Sequence, residues 1–590
     1  MDLSEFTDGI YAIDFEFRPS QGREGNLPDP ACLVVMEITS QTIQRYFADE
    51  LRLMSSAPFP ISQKALLVTW FGSAEMDCMQ SLNWSLPLNH LDLYAEFRCL
   101  TNQHHELQKN SLIDALIYYQ LPTIGHEHKE EMRCLILNGG GNTPEERESI
   151  LDYCESDVVA TVALFNKMRP ILDLPRALHR GRYMKAVSRM QHTGIPIDLP
   201  LLDLLRSQWT TIQDQLIQEI DQEFNAFDGR TFKVDKWAHY LHKNGIAWPR
   251  LDSGRLDLKD DTFEAMARIY PAVDRMRNLR RSLSETRVHD LYVGNDGRNR
   301  CLLSPFKSKT GRNQPSTNKF IFGLPSWLRA LIRPKQGWGL AYVDWSQQEF
   351  GIAAALSGDE VMKEAYHSGD PYLAFAKQSG AVPADATKHS HKAERDQFKA
   401  CVLAVQYGMG EDSLALRINQ PVAIARYLLR LHNQTYSIFW KWSDSAVNEA
   451  VLNGRLWAGF GWFIHTSGNV NERSLRNFPM QATGAEILRL ACIYITEAGI
   501  RVCAPVHDAL LVEAPLEVLD HHIATVQALM AKASRDVLNG FELRSEADVI
   551  RYPNRYLTDK GRAMWVRVME MLGHPDQSDL RQPDVSPCGS

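Results

Sequence analysis

Apolar and polar residues recur with two different periods along this chain, and the change of period divides it. Over the first 170 residues, short β-rich runs (GIYAIDFEF at 9–17, ALLVTWF at 65–71) alternate with helical stretches. A long helix from about Glu146 to Met168 closes the series, and the alternation predicts an α/β domain over residues 1–172. The prolines at 170 and 175 in RPILDLPRALHRG mark its expected end. A helix-rich region follows to about residue 290, with Leu, Ile and Trp at helical spacing between Leu201 and Phe224. Residues 298–335, rich in Gly, Pro, Asn and Ser, are expected to be mostly loop. From Gly339 the pattern turns to a strand, GLAYVD, then to a long helical block, then to a hairpin in IRVCAPVHDALLVEA. No repeat or low-complexity segment interrupts it, and the polar residues from about Pro575 are expected to fray.

At 590 residues the chain exceeds one hydrophobic core and should form two or three domains, α/β followed by α+β. Its 44% hydrophobic and 23% charged residues exclude a largely disordered protein. The ten cysteines form no C-x-x-C pair, which predicts neither a zinc site nor a disulfide framework and fits a reducing cytoplasm. The first residues lack a basic start followed by an apolar run, and no segment reaches eighteen uninterrupted apolar residues, so neither secretion nor a membrane is expected. A net charge of −8 speaks weakly against a nucleic-acid partner, but its distribution speaks for one. Nine basic residues and no Asp or Glu lie between Arg298 and Lys335. Further basic runs cover Arg176, Arg180, Arg182, Lys185 and Arg189, and Arg275, Arg277, Arg280, Arg281 and Arg287. Each run alone suits a solvated face; three in the central chain suit a phosphate-binding groove.

Four segments carry candidate chemistry. In AYVDWSQQEF, Asp344 ends an apolar run and so sits at the mouth of a sheet, although Asp at such a junction is also an ordinary helix cap. In VHDALLVE, Asp508 lies at the hairpin turn, a place Asp also takes for its own hydrogen bonds. Two aspartates on neighbouring strands suit a pair of Mg²⁺ ions about 4 Å apart, the arrangement nucleotidyl transfer requires. In HKAERDQFKACVLAVQYGMG, Arg395, Lys399, Leu403 and Tyr407 recur every four residues and share one helix face: cations for phosphates, an apolar and an aromatic side chain for a base. In RSLRNFPMQATGAEI, Arg473, Asn477 and Gln481 align in the same way and present donors to minor-groove acceptors, which lie at nearly fixed positions in every base pair. Near the N-terminus, Asp14 and Glu16 in AIDFEF share a strand face, and Tyr153 and Asp157 in YCESD share a helix face, a second grouping of metal-binding type.

The order DWSQQE, then R-x3-K-x7-YG, then HD resembles the bacterial DNA polymerase I family, family A. The resemblance implies a right-hand polymerase over residues 173–590, with thumb at about 199–290, palm at about 298–350 and 460–560, and fingers at about 351–455. It implies Asp344 and Asp508 as Mg²⁺ ligands, Glu349 as the steric gate against a ribose 2′-hydroxyl, and Arg395 and Lys399 as triphosphate ligands. Tyr407 would cap the base-pair pocket, with Gly408 ending the helix. Gln348 and His507 would contact substrate from within their motifs, and Arg312 in KTGRNQPS is similar to the family's primer–template loop. Three departures stand out: Ala509 where a carboxylate is usual, Leu403 where Phe or Tyr is usual, and Gly351 for a usual Arg.

Residues 1–172 resemble an RNase H-like 3′→5′ exonuclease of the DEDD type, which implies Asp14, Glu16 and Asp157 as metal ligands and Tyr153 as orienting the attacking water. For the remaining carboxylate, spacing selects Asp77 in GSAEMDCM, with Ser73 in place of the usual Asn; Glu75 is a rival on the same face if the piece is extended, and Asp92 a poorer one. The expected partners are primer–template DNA, dNTPs and a helicase or processivity factor. With no 5′ nuclease segment ahead of the exonuclease motif, the chain resembles phage and mobile-element polymerases. A single-subunit RNA polymerase and a non-catalytic DNA-binding replication protein are the alternatives.

Overall fold

The computed structural model describes residues 3–19, 27–105, 107, 109–123, 126–284, 288–406, 408–466 and 471–573. Its first layer is a five-stranded sheet of β1 (Gly9–Pro19), β2 (Pro28–Glu37), β3 (Thr42–Phe47), β4 (Ala65–Thr69) and β5 (Asn89–Asp92), in the order β3-β2-β1-β4-β5. β1 runs antiparallel to β2 and parallel to β4, so it is the central strand and is covered on both faces. Ile13 and Phe15 point into one core with Leu33, Met76 and Trp84, while Ala12 points into another with Ile150, Tyr153 and Val158. Period two then puts Asp14 and Glu16 on the second face, towards the closing helix.

That helix spans Pro144–Met168, two residues earlier than its apolar pattern indicates, because Thr143 caps it and proline suits the first turn. The long helix ends at Met168 as the prolines suggest, but the compact unit continues past Pro170 and Pro175 to residue 193. Both prolines fall within the first two residues of a helical segment, where a missing N–H costs nothing, and the helix Leu174–Thr193 follows directly. At Gly181 this helix packs so tightly on β5 that a Cβ would overlap the carbonyl oxygen of His90.

Two compact units result. The first comprises residues 1–193, 302–314 and 340–548; the second comprises 194–301, 315–339 and 549–590. The second unit holds the helices Leu199–Phe224, Val234–Lys243, Asp260–Ile269 and Ala272–Ser284. Within the first unit, a sheet is built from the hairpin Arg501–Val506 and Ala509–Pro515, then residues 340–345 of the strand Trp338–Trp345, then residues 545–548 of the strand Ser545–Arg551. Helices Gln348–Ser357, Lys392–Gln406 and Glu472–Glu497 belong to the same unit. Among the described residues, no helix is long and apolar enough to cross a membrane.

Candidate active site

Two carboxylates meet at the end of the four-stranded sheet. Asp344 is the penultimate residue of its strand and is exposed, whereas Val343 and Trp345 on either side are buried. Asp508 occupies the two-residue turn of the hairpin, which His507 closes with φ of +55° in the left-handed region. The strand Ala509–Pro515 is hydrogen-bonded to Trp338–Trp345, so the two aspartates stand on adjacent strands. Although part of the Asp344 side chain meets solvent, the protein packed around it displaces enough water to push its carboxyl up to about 6, and the Asp508 charge pushes in the same direction. Asp548 and Glu546, from the strand on the other side, add to it. Arg312 answers this negative field, with its guanidinium 3.0 Å from Asp508 and 3.8 Å from Glu349. The Glu349 carboxyl is raised by burial while Arg312 opposes the shift. Arg312 compensates Asp508 and Glu349, whereas three carboxylates push on Asp344, a field that a divalent cation would relieve, so the donor set fits a metal.

Gln348 lies inside a helix pair, not on the open face. It is buried, its amide oxygen and nitrogen have no hydrogen-bond partner among the described residues, and a Cβ on Gly484 would come within 3.0 Å of its Oε1. The preceding residue, Gln347, takes the left-handed φ of +48° that starts the helix and turns Gln348 inward. Ala509 is buried and paired with Val506, so the position that usually carries a carboxylate belongs to the sheet core. At Gly351, a Cβ would overlap Leu543 and lie 2.9 Å from the Tyr366 ring.

On the helix Lys392–Gln406, Arg395 and Lys399 share a face over the ring of Tyr372, at 5.6 and 5.7 Å. Asp370 holds Arg395 through its Nε at 2.5 Å, a partner that spacing alone does not reveal. Leu403 is half-buried; Tyr407 lies outside the described residues. Gly408 follows with φ of +63°, and a Cβ there would stand 2.9 Å from Arg473. Arg473 and Asn477 line a cavity of about 460 Å³ together with Gly408, Arg430, Trp440 and Met480. Gln481, one turn further along their helix, is half-buried.

In the N-terminal layer, carboxylate oxygens of Asp14, Glu16 and Asp157 all lie within 4.8 Å of one another. Burial raises the Asp14 carboxyl most, then the charges of Asp157 and Glu16. Tyr153 packs one turn before Asp157, and its hydroxyl is raised by burial and by Asp157. Lys129, which the sequence pattern does not single out, sits 3.0 Å from Asp157 and 5.6 Å from the centre of the Tyr153 ring. A cavity of about 590 Å³ opens beside them, lined by Glu16, Lys129, Arg133, Tyr153 and Asp157 among others.

Asp77 does not join this cluster. Its carboxylate accepts from Ser188 Oγ at 2.7 Å and Gln191 Nε2 at 2.8 Å, both on the helix Leu174–Thr193. The neighbouring carboxylate is Glu75, whose Oε2 accepts the Phe15 N–H at 2.8 Å and whose pKa burial raises first and Asp14 second. GSAEMDCM is helical, not extended, so Glu75 and Asp77 lie about 200° apart around its axis. Asp92 is structural: it caps the helix Leu93–Thr101 and accepts the Gly72 N–H at 2.6 Å.

Most of the basic runs are spent internally. Arg180 forms a buried fork with Glu96, at 2.5 and 2.8 Å, and Lys185 donates to the carbonyls of Pro87 and Leu88. Arg182 pairs with Glu497, Arg275 with Glu223, and Arg277 with Asp260 and Glu264. The side chains of Arg281 and Arg287 lie outside the described residues. Lys307 and Lys309, in contrast, are exposed and pair with no carboxylate among the described residues, Lys309 donating to the Ser474 hydroxyl, and they precede Arg312 at the carboxylate pair.

Comparison with known proteins matches residues 323–547 to DNA polymerase family A. DNA polymerase I of Chloroflexus aurantiacus is 24% identical over 435 residues, which cover 66% of this chain and 45% of that protein. The DNA polymerase of Mycobacterium phage D29 is 26% identical over 431 residues, 66% of each chain. The match thus spans about half the length of the bacterial relatives. Among solved structures, the POL domain of Pol1 from M. smegmatis, in complex with DNA primer-template and dNTP, superposes with a TM-score of 0.73 at 15% identity. That superposition covers 95% of this chain and 97% of the other.

Proposed function

We propose that this chain, whose residues 323–547 match DNA polymerase family A, is a template-directed DNA polymerase that adds dNTPs to a primer 3′-hydroxyl, with a second activity that trims single-stranded 3′ ends. The observation that carries the first activity is the placement of Asp344 and Asp508 at one end of the sheet, the Asp508 charge raising the cost of ionising Asp344, with Arg312 beside them. Two Mg²⁺ ions bound there would lower the pKa of the primer hydroxyl and neutralise the leaving oxygens. Asp344 and Asp508 hold the metals, and Glu349 occupies the space of a ribose 2′-hydroxyl. Arg395 and Lys399 bind the triphosphate, and Asn477 and Gln481 meet the minor-groove edge of the new pair. The second activity rests on Asp14, Glu16 and Asp157 as metal ligands, with Glu75 beside them and Tyr153 orienting water.

The deciding experiment is an extension and degradation assay on the wild-type chain with a primed template, dNTPs and Mg²⁺. Absence of extension would overturn the reading. The same assay with NTPs separates it from RNA synthesis: wild type should prefer dNTPs, and Glu349→Ala should raise NTP use roughly 10–200-fold, the range that a small steric contact decides.

The Arg395–Asp370 pair makes a second prediction. An incoming triphosphate has to displace a carboxylate from Arg395, and a partly exposed ion pair is worth at most about 1 kcal/mol. Asp370→Asn should therefore lower the KM for dNTP by roughly two- to fivefold at unchanged kcat. A steady-state titration in which KM is unchanged or rises would show that the pair does not compete with substrate.

A further inference from the structure

The loop Phe306–Arg312 is folded with its carbonyls inward and its cations outward. Four of its carbonyl oxygens are held by side-chain donors: Phe306 by Arg98 Nε at 3.2 Å, and Lys307 by Arg98 Nη2 at 2.9 Å. Lys309 is held by Asn102 Nδ2 at 2.7 Å and Trp462 Nε1 at 3.0 Å, and Gly311 by Arg489 Nη1 at 2.6 Å. Lys307 and Lys309 are exposed as a result, Lys309 with its ammonium resting on the Ser474 hydroxyl, and Arg312 reaches Asp508. The loop does not take this shape by its own preference. Ser304 and Phe306 both have positive φ, +48° and +57°, and an aromatic residue stays in the left-handed region only where its surroundings over-determine it.

Arg98 and Asn102 are not part of the sheet that carries Asp344 and Asp508. They lie at the end of the helix Leu93–Thr101 in the N-terminal α/β layer, more than 200 positions away along the chain from the loop, and both are buried. Asn102 also ties the short strand Phe463–His465 to this point: its Nδ2 donates to the Phe463 carbonyl at 2.8 Å, and its carbonyl accepts the His465 N–H at 2.9 Å. The N-terminal layer thus contributes the donors that fix a loop beside the other carboxylate centre.

We propose that Arg98 and Asn102 are positioning residues for primer–template binding: by holding the loop's carbonyls they preset Lys307, Lys309 and Arg312 as a row of phosphate ligands, so the exonuclease-like layer forms part of the polymerase's DNA grip. The inference rests on the polymerase reading above and deepens it. A flexible loop would carry the same charges but would have to be ordered at each binding event, whereas a pinned loop is ordered before DNA arrives. Arg is the suited residue at 98 because one planar guanidinium spans two successive carbonyls, which an ammonium cannot do in fixed geometry.

The test is the salt dependence of primer–template binding by the full-length chain, since each phosphate contact on duplex DNA adds about 0.9 to the slope of log K against log salt. In Lys307→Ala/Lys309→Ala, whose side chains are exposed and whose fold is not at risk, the slope should flatten by about two contacts. Arg98→Ala and Asn102→Asp, the latter nearly isosteric but without the donor, should each flatten it by about one to three contacts and raise the KM for primer–template at unchanged kcat. Arg98→Lys should restore the slope in part, and adding the two lysine changes to Asn102→Asp should cost less than they cost alone. Folded Arg98→Ala and Asn102→Asp proteins with the wild-type slope would overturn the inference, as would a wild-type slope in the double lysine variant. Should Arg98→Ala fail to fold, Asn102→Asp and the lysine variants decide. A wild-type chain that does not bind primer–template at all would instead refute the polymerase reading itself.

Discussion

Asp508→Ala should reduce primer extension by about three orders of magnitude or more while primer–template binding is retained or tightened. The loss follows from the role of the pair: metal stabilisation of both the attacking and the leaving oxygen is worth several kcal/mol, and each 1.4 kcal/mol is about a factor of ten. The retained binding follows from Arg312, which lies 3.0 Å from Asp508 and would be released to meet phosphate. Asp344→Ala should behave alike in extension. Single-turnover extension and equilibrium binding on the same variants check this, and near-normal extension by either would remove the assignment of the metal ligands. The shifted carboxyl adds a pH dependence. Asp344 without metal ionises near 6, so protons compete with Mg²⁺ as pH falls through about 6, and the Mg²⁺ concentration at half-maximal rate should rise there. The sign for stability is the opposite of a salt bridge. A carboxyl whose pKa is raised on folding costs stability while ionised, so in metal-free buffer at pH 7–8 Asp344→Asn should raise Tm.

The second large effect separates Glu75 from Asp77. Asp14→Ala and Glu75→Ala should each remove degradation of a single-stranded 3′ end, by about a hundredfold or more, and leave synthesis intact. Asp77→Ala should keep degradation and lower stability by about 1–3 kcal/mol, because Ser188 and Gln191 lose an acceptor in a part-buried setting. Thermal melts beside a 3′-end assay on the three variants decide it. If Asp77→Ala lost degradation at unchanged Tm, the assignment of the acidic residues at 75 and 77 would have to be reversed.

What the sequence discloses depends on the length of the signal. The strand GIYAIDFEF, the helix ending at Met168 and the hairpin around His507–Asp508 are legible because their periods run over many residues or end in a turn of defined chemistry. The eight residues of GSAEMDCM are too few to separate period 2 from period 3.6, and the choice between Glu75 and Asp77 turns on that distinction. Gln348 reads as a groove residue until the left-handed Gln347 is known, because a single positive φ rotates the whole helix that follows. The basic runs mislead for another reason: charge is visible in a sequence but burial is not. Arg180 and Lys185, which look like phosphate ligands, are enclosed among protein partners, whereas Lys307 and Lys309, two residues apart in a loop, face outward. Lys129 and Asp370 escape notice because each acts through a partner distant in the chain, Asp157 and Arg395.

The glycine at 351 bears on how this chain can change. Its missing side chain is no vacancy waiting for an arginine, since Leu543 and the Tyr366 ring already fill the space where a Cβ would project. A larger residue at 351 becomes tolerable only after one of those two has shrunk, and shrinking either one first opens a void in packed protein. Both single steps lose ground, so this corner of the molecule is open to coordinated replacement and closed to gradual drift.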